Sequence, residues 1–297
     1  MQLEQREELL QIDQPSFISR AYTKFRQWPY IPAAVLAILV FAALAAPVIS
    51  PYDPVKGDLR AREKPPLFFG GTAEHLFGTD NQGRDIFSRI IHGARVSMSF
   101  AAVTMLLSVA LGAVIGSISG YFGGHVDEAL MRLVDLQNAI PFILAALVVV
   151  SVFGASFSTL LIIIAIFSWG PTARQIRGEI LQLKQMDYVA LARIAGASSP
   201  RIIFKHLLPG VTNTLIVVAT LGTGQIILTE ATLSFLGVGI PPPKPAWGSM
   251  VSFGRNYIDS AWWIAVIPGL AIALVVVSLN FLGDWLRDYF DPRLRQI

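Results

Sequence analysis

DYVALARIAGASSPRIIFKHLLP, which runs from Asp187 to Pro209, is the stretch of sequence that decides how this chain is organised. This insert is polar and basic, but it lies between two long apolar runs. A few turn residues would be enough to join two membrane spans. A longer insert with helical periodicity therefore indicates a surface on the water side of the membrane for a soluble partner. The alternative is an amphipathic helix that lies on the lipid.

The insert is predicted to form two short helices that meet at Gly196. Asp187 is suited to cap the first helix, since its carboxylate can accept hydrogen bonds from the first free amides, and Gly196 can end that helix in a left-handed conformation. Ser198 or Ser199 is expected to cap the second helix, with Pro200 at its first position. The apolar stripe of the first helix comprises Tyr188, Val189, Leu191, Ala192 and Ala195.

The composition of the chain is that of an integral membrane protein. Of its 297 residues, 54% are hydrophobic and 14% are charged, whereas a soluble domain carries about 25% charged residues. The apolar residues form charge-free runs that are long enough to cross the hydrocarbon layer. There is no cysteine, which excludes disulfides and cysteine-ligated metals. The four histidines lack metal-ligand spacing, and the net charge of +3 fits orientation signals beside the spans rather than a nucleic-acid partner.

The apolar runs predict an all-α membrane protein with six transmembrane helices. We expect these spans at residues 30–50, 96–121, 132–153, 157–175, 207–233 and 262–284. A turn at Phe153–Phe157 divides the third span from the fourth. The remaining segments are an N-terminal tail with an interfacial helix at 1–29, external loops at 51–95 and 234–261, a cytoplasmic segment at 176–206 and a C-terminal tail at 285–297.

The basic residues place both termini in the cytoplasm. Six spans put both ends of the chain on one side, and Lys and Arg are enriched in cytoplasmic segments. Most of the Lys and Arg lie in the two tails and the 176–206 segment. Most of the others lie in the 51–95 loop, which weighs less in this rule because it is long and also rich in Asp and Glu. The insert is therefore expected to be cytoplasmic.

Within the insert, Tyr188-Val-Ala-Leu-Ala-Arg-Ile-Ala-Gly-Ala-Ser198, followed by Leu207-Leu-Pro209, resembles the EAA motif of ATP-binding-cassette importer permeases. That motif consists of Glu-Ala-Ala, a short spacer, Gly and a later Pro, and Gly196 and Pro209 keep its spacing. The chain departs from the motif at its first two places, which are Ala190 and Leu191. The peptide-importer branch of the family often lacks the Glu and begins with Tyr-Val, so the departure favours that branch.

Two further segments are similar to the dipeptide, oligopeptide and nickel permeases of the DppC/OppC type. HLFGTDNQGRDIFSR, from His75 to Arg89, followed by Gly93-Ala-Arg95, resembles their GTDxxGRDxxSRxxxGAR signature. EATLSFLGVGIPPPKPAWG, from Glu230 to Gly248, resembles their outer loop, and GDWLRDYFDPR, from Gly283 to Arg293, fits as well. The resemblance runs from about residue 25 to 295 and implies a type I importer permease fold, with the permease domain at 95–285.

The resemblance implies a permease subunit that forms half of a translocation path for peptides or a related small solute. It implies four kinds of partner: a second homologous permease, two ATPase subunits that bind ATP and magnesium, an external substrate-binding protein and the lipid of a bacterial or archaeal cytoplasmic (inner) membrane. The insert would be the coupling helix that fits the ATPase. Its contact residues would be Asp187, Tyr188, Ala190, Ala192, Gly196, Ala197 and Ser198. The cargo stays open among dipeptides, oligopeptides, nickel chelates, glutathione and antimicrobial peptides.

The signature after the first span supports two interpretations. Its turn and cap residues are Gly78, Thr79, Asp80, Gly83, Arg84 and Asp85. In the first interpretation they support the fold: either Asp80 caps a helix that runs to Arg89 and lies on the outer leaflet, or Arg84, Asp85 and Arg89 pair within the loop. In the second interpretation they form a docking surface for the external binding protein.

Two sets of ionisable residues lie close to the spans. Glu230 is near the outer end of the fifth span, where an acid costs about 3 kcal/mol by insertion scales and usually faces a cavity or a partner. Glu230 either faces the translocation path and attracts a substrate ammonium group, or it hydrogen-bonds to the outer loop or a helix end. The same two alternatives apply to Asp135 near the inner end of the third span, where the local partner would be Arg132, three residues earlier on a predicted helix.

Motifs that the chain lacks restrict its chemistry. It has no G-x-x-x-x-G-K-[ST] loop to hold phosphates, so we expect no cofactor on this chain and ATP hydrolysis on separate chains. It also lacks His-Glu-x-x-His and Gly-x-Ser-x-Gly arrays, which favours a non-catalytic subunit over an intramembrane enzyme. The other alternative is a secondary transporter or channel without ATPase subunits, which would need internal repeats or a series of intramembrane ionisable groups.

Overall fold

A computed structural model describes residues 29–290 of the chain. The predicted interfacial helix of the N-terminal tail lies outside this range, as do residues 291–297. Apart from one isolated antiparallel bridge between Thr79 and Asp85, the regular structure of the described residues is helical. Its α-helices are α1 (Tyr30–Ile49), α2 (Ile86–Phe122), α3 (Gly124–Ala139), α4 (Phe142–Phe153), α5 (Phe157–Leu183), α6 (Asp187–Ile194), α7 (Ser199–Ile202), α8 (Thr212–Phe235), α9 (Trp247–Gly254) and α10 (Trp263–Phe290).

Five helical segments are long and apolar enough to cross a membrane. They are α1, α2, α5, the continuous stretch Ser199–Phe235 that ends in α8, and α10. A sixth span results if α3 and α4 are counted as one broken helix. This architecture confirms the predicted all-α membrane protein.

The helix that holds the second predicted span begins at Ile86 rather than near residue 96. The Asp85 carboxylate caps this helix by accepting a hydrogen bond from the backbone N–H of Ser88 at 2.7 Å. Ile86 and Ile91 are buried in the protein core. The expectations of a separate helix on the outer leaflet, and of a cap at Asp80, were therefore wrong. Because Ile86 and Ile91 are buried against other segments of the chain, α2 starts well before the charge-free apolar run.

The third predicted span, 132–153, is not one straight helix. α3 and α4 meet at an angle of 81°. Pro141 has no N–H to donate and disfavours a helical conformation at the residue before it, and Ile140 accordingly adopts an extended backbone. At 1.5 Å per residue, α4 is about 18 Å long, which is too short to cross about 30 Å of hydrocarbon alone.

Asp135, near the end of α3, pairs across helices rather than with its neighbour. Its Oδ1 accepts a hydrogen bond from Nη2 of Arg174 on α5 at 2.7 Å. The expected local pair with Arg132 was therefore wrong. The reason is tertiary: α3 packs beside α5, and the sequence spacing alone does not reveal that neighbour.

A seam of three glycines brings α2 and α5 into close contact. Gly112, Gly116 and Gly120 repeat every four residues, so they lie on one face of α2. A Cβ atom at Gly112 would lie 2.6 Å from Cβ of Thr172, and one at Gly120 would lie 2.8 Å from Cβ of Ile180. Small residues at this spacing allow membrane helices to approach closely. α5 also continues to Leu183, beyond the predicted end at 175, and leads directly to the insert.

Candidate functional site

The first helix of the insert, α6, begins one residue earlier than expected. Met186 occupies the cap position without a side-chain hydrogen bond, and Asp187 is the first helical residue. The prediction that Asp187 caps α6 was therefore wrong, although a negative charge in the first turn is favourable to the helix dipole. Gly196 ends the helix with φ of +78°, as the sequence predicts. The N–H of Ala197 donates to the carbonyl of Ala192 at 3.0 Å across this turn.

The second half of the insert leads into α8 through a change of helix type. Ser198 precedes α7 without a side-chain cap bond, and Ser199 and Pro200 are its first two residues, one position later for Pro200 than expected. Ile203–Leu207 then forms a π-helical turn and Leu208–Val211 a 3-10 turn that contains Pro209. Proline cannot donate the backbone hydrogen bond of a regular helix, so the irregular turns lie where α8 begins.

The insert is fixed to the membrane helices by a small apolar core of its own. This core comprises Ile176 and Ile180 of α5 together with Val189, Ile202, Ile203, Leu207 and Val211. Polar contacts add to it at the end of α2: Nζ of Lys184 donates to the carbonyl of Gly120 at 2.7 Å, and the guanidinium of Arg193 lies 5.6 Å from the ring centre of Tyr121. The base of the insert is thus tied to both helices of the glycine seam.

The opposite face of α6 is apolar and exposed. Tyr188, Leu191 and Ile194 are spaced three residues apart, and 43%, 65% and 83% of their surfaces are accessible. The predicted stripe was therefore wrong in part, because Val189 faces the core while Leu191 faces outwards. We name this exposed set, Tyr188, Leu191 and Ile194, the apolar patch. Contiguous exposed apolar surface marks interaction sites.

The predicted ATPase-contact residues are distributed around the apolar patch. Asp187, Tyr188, Ala190, Gly196 and Ser198 are exposed, and Ala192 and Ala197 are half-buried. A Cβ atom at Gly196 would meet nothing within 4 Å, so this turn is open to a partner. The contact residues predicted from the sequence did not include Leu191 and Ile194, although their spacing from Tyr188 places all three on one face of the helix.

The six predicted docking residues of the outer signature are all buried. Oδ1 of Asp80 accepts hydrogen bonds from the backbone N–H groups of Gln82 at 2.8 Å and Arg84 at 3.0 Å. Oδ2 accepts from Nε of Arg84 at 2.6 Å, and Nε of Arg89 lies 3.7 Å from it. This burial favours fold support over docking.

Long-range hydrogen bonds tie this signature to the second external loop. Nε1 of Trp263 donates to the carbonyl of Thr79 at 3.1 Å, and Nδ2 of Asn81 donates to the hydroxyl of Tyr257 at 2.9 Å. Nε1 of Trp247 donates to the carbonyl of Ile90 at 3.0 Å. We name residues 51–90 and 236–263 together the outer cap. It is one hydrogen-bonded unit built from two segments that are distant in sequence.

Glu230 lies beneath the outer cap and only 1% of its surface is accessible. Its Oε1 accepts a hydrogen bond from the hydroxyl of Ser234 at 2.6 Å. A Cβ atom at Gly248 would lie 3.1 Å from Oε2, so the outer loop covers the carboxylate. These contacts favour the hydrogen-bonding role, and the role in the translocation path stays a prediction.

One face of α8 is exposed or half-buried and carries four polar side chains along a helix that is long enough to span the membrane. This path face, as we name it, repeats at helical spacing and comprises Thr214, Val218, Leu221, Gln225, Thr229 and Thr232. The hydroxyls of Thr229 and Thr232 donate to carbonyls one turn earlier, each at 2.8 Å. The exposed Gln225 amide makes no hydrogen bond to any residue between 29 and 290. Unsatisfied polar groups are costly against lipid, so this face requires water or another polypeptide.

The chain is similar to known transport proteins in both sequence and fold. The sequence profile of the binding-protein-dependent transport system inner membrane component matches residues 112–296. The dipeptide transport system permease protein DppC of Haemophilus influenzae is 40% identical over 276 residues, which is 93% of this chain and 94% of that protein. The di/tripeptide transport system permease protein DppC of Pseudomonas aeruginosa is 40% identical over 88% of this chain and 86% of its own length.

The chain is also similar to a relative named for glutathione and, in its fold, to a solved transporter structure. The glutathione transport system permease protein GsiD of Pectobacterium atrosepticum is 39% identical over 89% of this chain and 87% of its own length. An inward-facing structure of the methionine ABC transporter MetNI aligns with a TM-score of 0.53, covering 69% of this chain and 98% of that chain, at 17% sequence identity. At 17% sequence identity, this structural similarity shows a shared fold and nothing further.

Proposed function

Since the chain belongs to the family of binding-protein-dependent transport system inner membrane components and is a permease subunit of an ATP-binding-cassette importer, we propose that its cargo is peptides or a related small solute. The names of the Haemophilus and Pseudomonas relatives support dipeptides and tripeptides. The Pectobacterium relative is named for glutathione, which is itself a small peptide. The shared chemistry of these cargoes is a short chain with free amino and carboxyl groups.

A second homologous permease completes the translocation path in this proposal. The support is the path face of α8, whose accessible Gln225, Thr229 and Thr232 lie on a membrane-spanning helix. A polar face is costly against lipid but is satisfied by a water-filled path. Amide and hydroxyl groups also offer donors and acceptors to peptide groups of a passing cargo. The path then lies between two permeases, each of which contributes one half.

Two ATPase subunits lie on the cytoplasmic side, where one of them binds the insert, and an external binding protein delivers the cargo on the opposite side. The single observation that carries the coupling role is the apolar patch on α6, because it is exposed while the base of the same helix is packed on α5 and close to α2. An ATPase subunit that binds the apolar patch and changes conformation on binding ATP and magnesium displaces α6. Because the inner face of α6 is packed on α5, the displacement is transmitted to the membrane helices. The chain itself is non-catalytic.

The sidedness of this arrangement follows from the basic residues. The cytoplasmic placement of the insert and of both termini is supported by the concentration of Lys and Arg in those segments. Import with the coupling helix on the ATP side also requires this orientation.

The coupling role is tested by adding a large side chain to the open turn of the insert. Gly196→Arg is expected to abolish transport and transport-coupled ATPase activity, because arginine projects from the turn into the partner interface. Docking of the external binding protein should persist. The matched control is Gly70→Arg in the outer cap, since Gly70 has a similar φ of +86° and equally open surroundings. Normal transport by the Gly196→Arg complex would overturn the assignment of the insert as the coupling helix.

A further inference from the structure

A polar cavity of about 480 Å³ lies between α5, α8 and α10. Its rim carries Gln175 and Glu179 of α5, Asn213 and Thr214 of α8, and Arg287 of α10. Glu179 precedes α6 by about two helical turns, so the cavity lies at the end of the bundle that carries the insert. Its volume falls within the range of about 300–1,000 Å³ that is typical of small-molecule sites.

The cavity ends where α8 and α10 come together. Gly283 of α10 packs against Leu221 of α8, where a Cβ atom would lie 2.6 Å from Cγ of the leucine. Closer to the helix ends, the larger side chains of Arg287 and Phe290 line the space. Val217 and Leu221 make its inner wall apolar. The cavity thus combines a polar rim with an apolar wall.

Two opposite charges share this rim without being paired with each other. Glu179 is half-buried, and its Oε1 accepts a hydrogen bond from the hydroxyl of Thr214 at 2.7 Å. Among residues 29–290, neither Glu179 nor Arg287 forms an ion pair. A half-buried carboxylate with a single hydroxyl donor retains capacity for further hydrogen bonds. The guanidinium of Arg287 has no hydrogen-bond partner within residues 29–290, so its donors can bind an anion.

The cavity is also continuous with the path face. Thr214, Val218 and Leu221 line it and are the first members of the same helical face that continues through Gln225 and Thr232. A cargo that moves along this face from the outer end of α8 reaches the cavity last. The cavity therefore lies where a cargo leaves the path.

We propose that this cavity is an exit vestibule that binds a peptide by its two ends. The carboxylate of Glu179 receives the α-ammonium group and the guanidinium of Arg287 receives the α-carboxylate, each through charge-assisted hydrogen bonds. The amides of Gln175 and Asn213 pair with the peptide group, and the apolar wall receives the side chains. The ligand class is a short zwitterionic peptide, and this assignment rests on the proposed peptide cargo.

The test is a comparison of end-blocked peptides on the intact complex of permeases and ATPases in lipid nanodiscs, without the external binding protein. The probes are dialanine, N-acetyl-dialanine and dialanine amide, and the readout is their equilibrium affinity by calorimetry. For the wild type, blocking either end is expected to weaken binding by about 10-fold or more, since each block removes a hydrogen bond to a charged group.

Two variants assign each end of the peptide to one residue. Glu179→Gln is expected to lose the preference for a free amino group and keep the preference for a free carboxylate. Arg287→Gln is expected to show the reverse. General damage to the fold would weaken all three probes together and would not exchange one preference for the other. Glu128→Gln, which changes an exposed carboxylate outside the cavity, is the control and should keep both preferences.

The outcomes separate the vestibule from the peptide cargo. Import of dialanine and trialanine is measured in parallel on the complete importer with its binding protein. If the wild type imports neither peptide, the proposed cargo fails. If the wild type imports them but the nanodisc complex does not bind dialanine, or if Glu179→Gln keeps its preference for the free amino group, the vestibule is overturned while the cargo stands.

Discussion

The outer cap and the insert occupy opposite ends of the same helical bundle and use their residues in opposite ways. The outer cap buries charge: Asp80, Arg84 and Arg89 are enclosed and paired. The insert exposes apolar surface, with Leu191 and Ile194 turned away from the protein. The number of polar residues in a segment therefore does not show whether that segment binds a partner. In the outer cap, buried and paired charges hold two segments of the chain together. In the insert, exposed apolar side chains leave a surface that another chain can cover.

The largest expected effect breaks the closed side of this comparison. Asp80→Ala leaves the guanidinium groups of Arg84 and Arg89 buried without their carboxylate. Removal of one partner of a buried ion pair costs about 3–5 kcal/mol, so the variant should unfold at a much lower temperature or fail to accumulate in the membrane. The measurement is thermal unfolding of the purified complex in detergent.

Asp53 provides the matched control, because it is an exposed carboxylate in the same loop. Its carboxylate accepts backbone hydrogen bonds from Val55 at 2.8 Å and Lys56 at 3.2 Å, which hold the pKa of Asp53 below its usual value. Asp53→Asn should leave the unfolding temperature unchanged. If Asp80→Ala unfolded at the same temperature as Asp53→Asn, the outer cap would not depend on its buried charges.

A smaller effect is expected on the open side. Leu191→Glu changes a residue with 65% of its surface accessible, so the stability of this chain should change by no more than about 0.5 kcal/mol. A charge in the centre of a partner interface should weaken ATPase binding by roughly 10-fold or more. Co-purification of the ATPases, measured beside thermal unfolding, separates the two effects. A complex that keeps its ATPases would contradict the role of the apolar patch.

The smallest expected effect decides to which region Glu230 belongs. Glu230→Gln keeps an acceptor for the hydroxyl of Ser234 and should cost about 1 kcal/mol. If Glu230 serves only the contact between α8 and the outer cap, the substitution should leave the ratio of import rates for dialanine and N-acetyl-dialanine unchanged. A variant that lost its preference for the free amino group would instead place Glu230 in the path.

The elements that could be predicted from sequence depend on local signals. α1 follows from a charge-free apolar run, and the end of α6 follows from Gly196, because glycine adopts the left-handed turn without the steric cost of a Cβ atom. The location of the insert between two spans and its family motif also needed no tertiary information. These features are fixed by residues close together in the chain.

The features that were missed depend on neighbours that are distant in sequence. Asp135 forms its ion pair with Arg174 because α3 lies beside α5. α2 begins at Ile86 because that residue is buried by other segments. Val189 rather than Leu191 faces inwards because Ile176 and Ile180 supply a core beneath α6. The break at Pro141 is the exception, since a proline within a helical stretch is itself a local signal for a break.

The glycine seam has a mechanical consequence. With hydrogen atoms in place of side chains at Gly112, Gly116 and Gly120, no soft layer separates α2 from α5, so the two helices should act as one stiff bar. The seam begins beside the attachment of the insert and extends about 12 Å along α2. A displacement of the insert should therefore reach Gly112 with little loss.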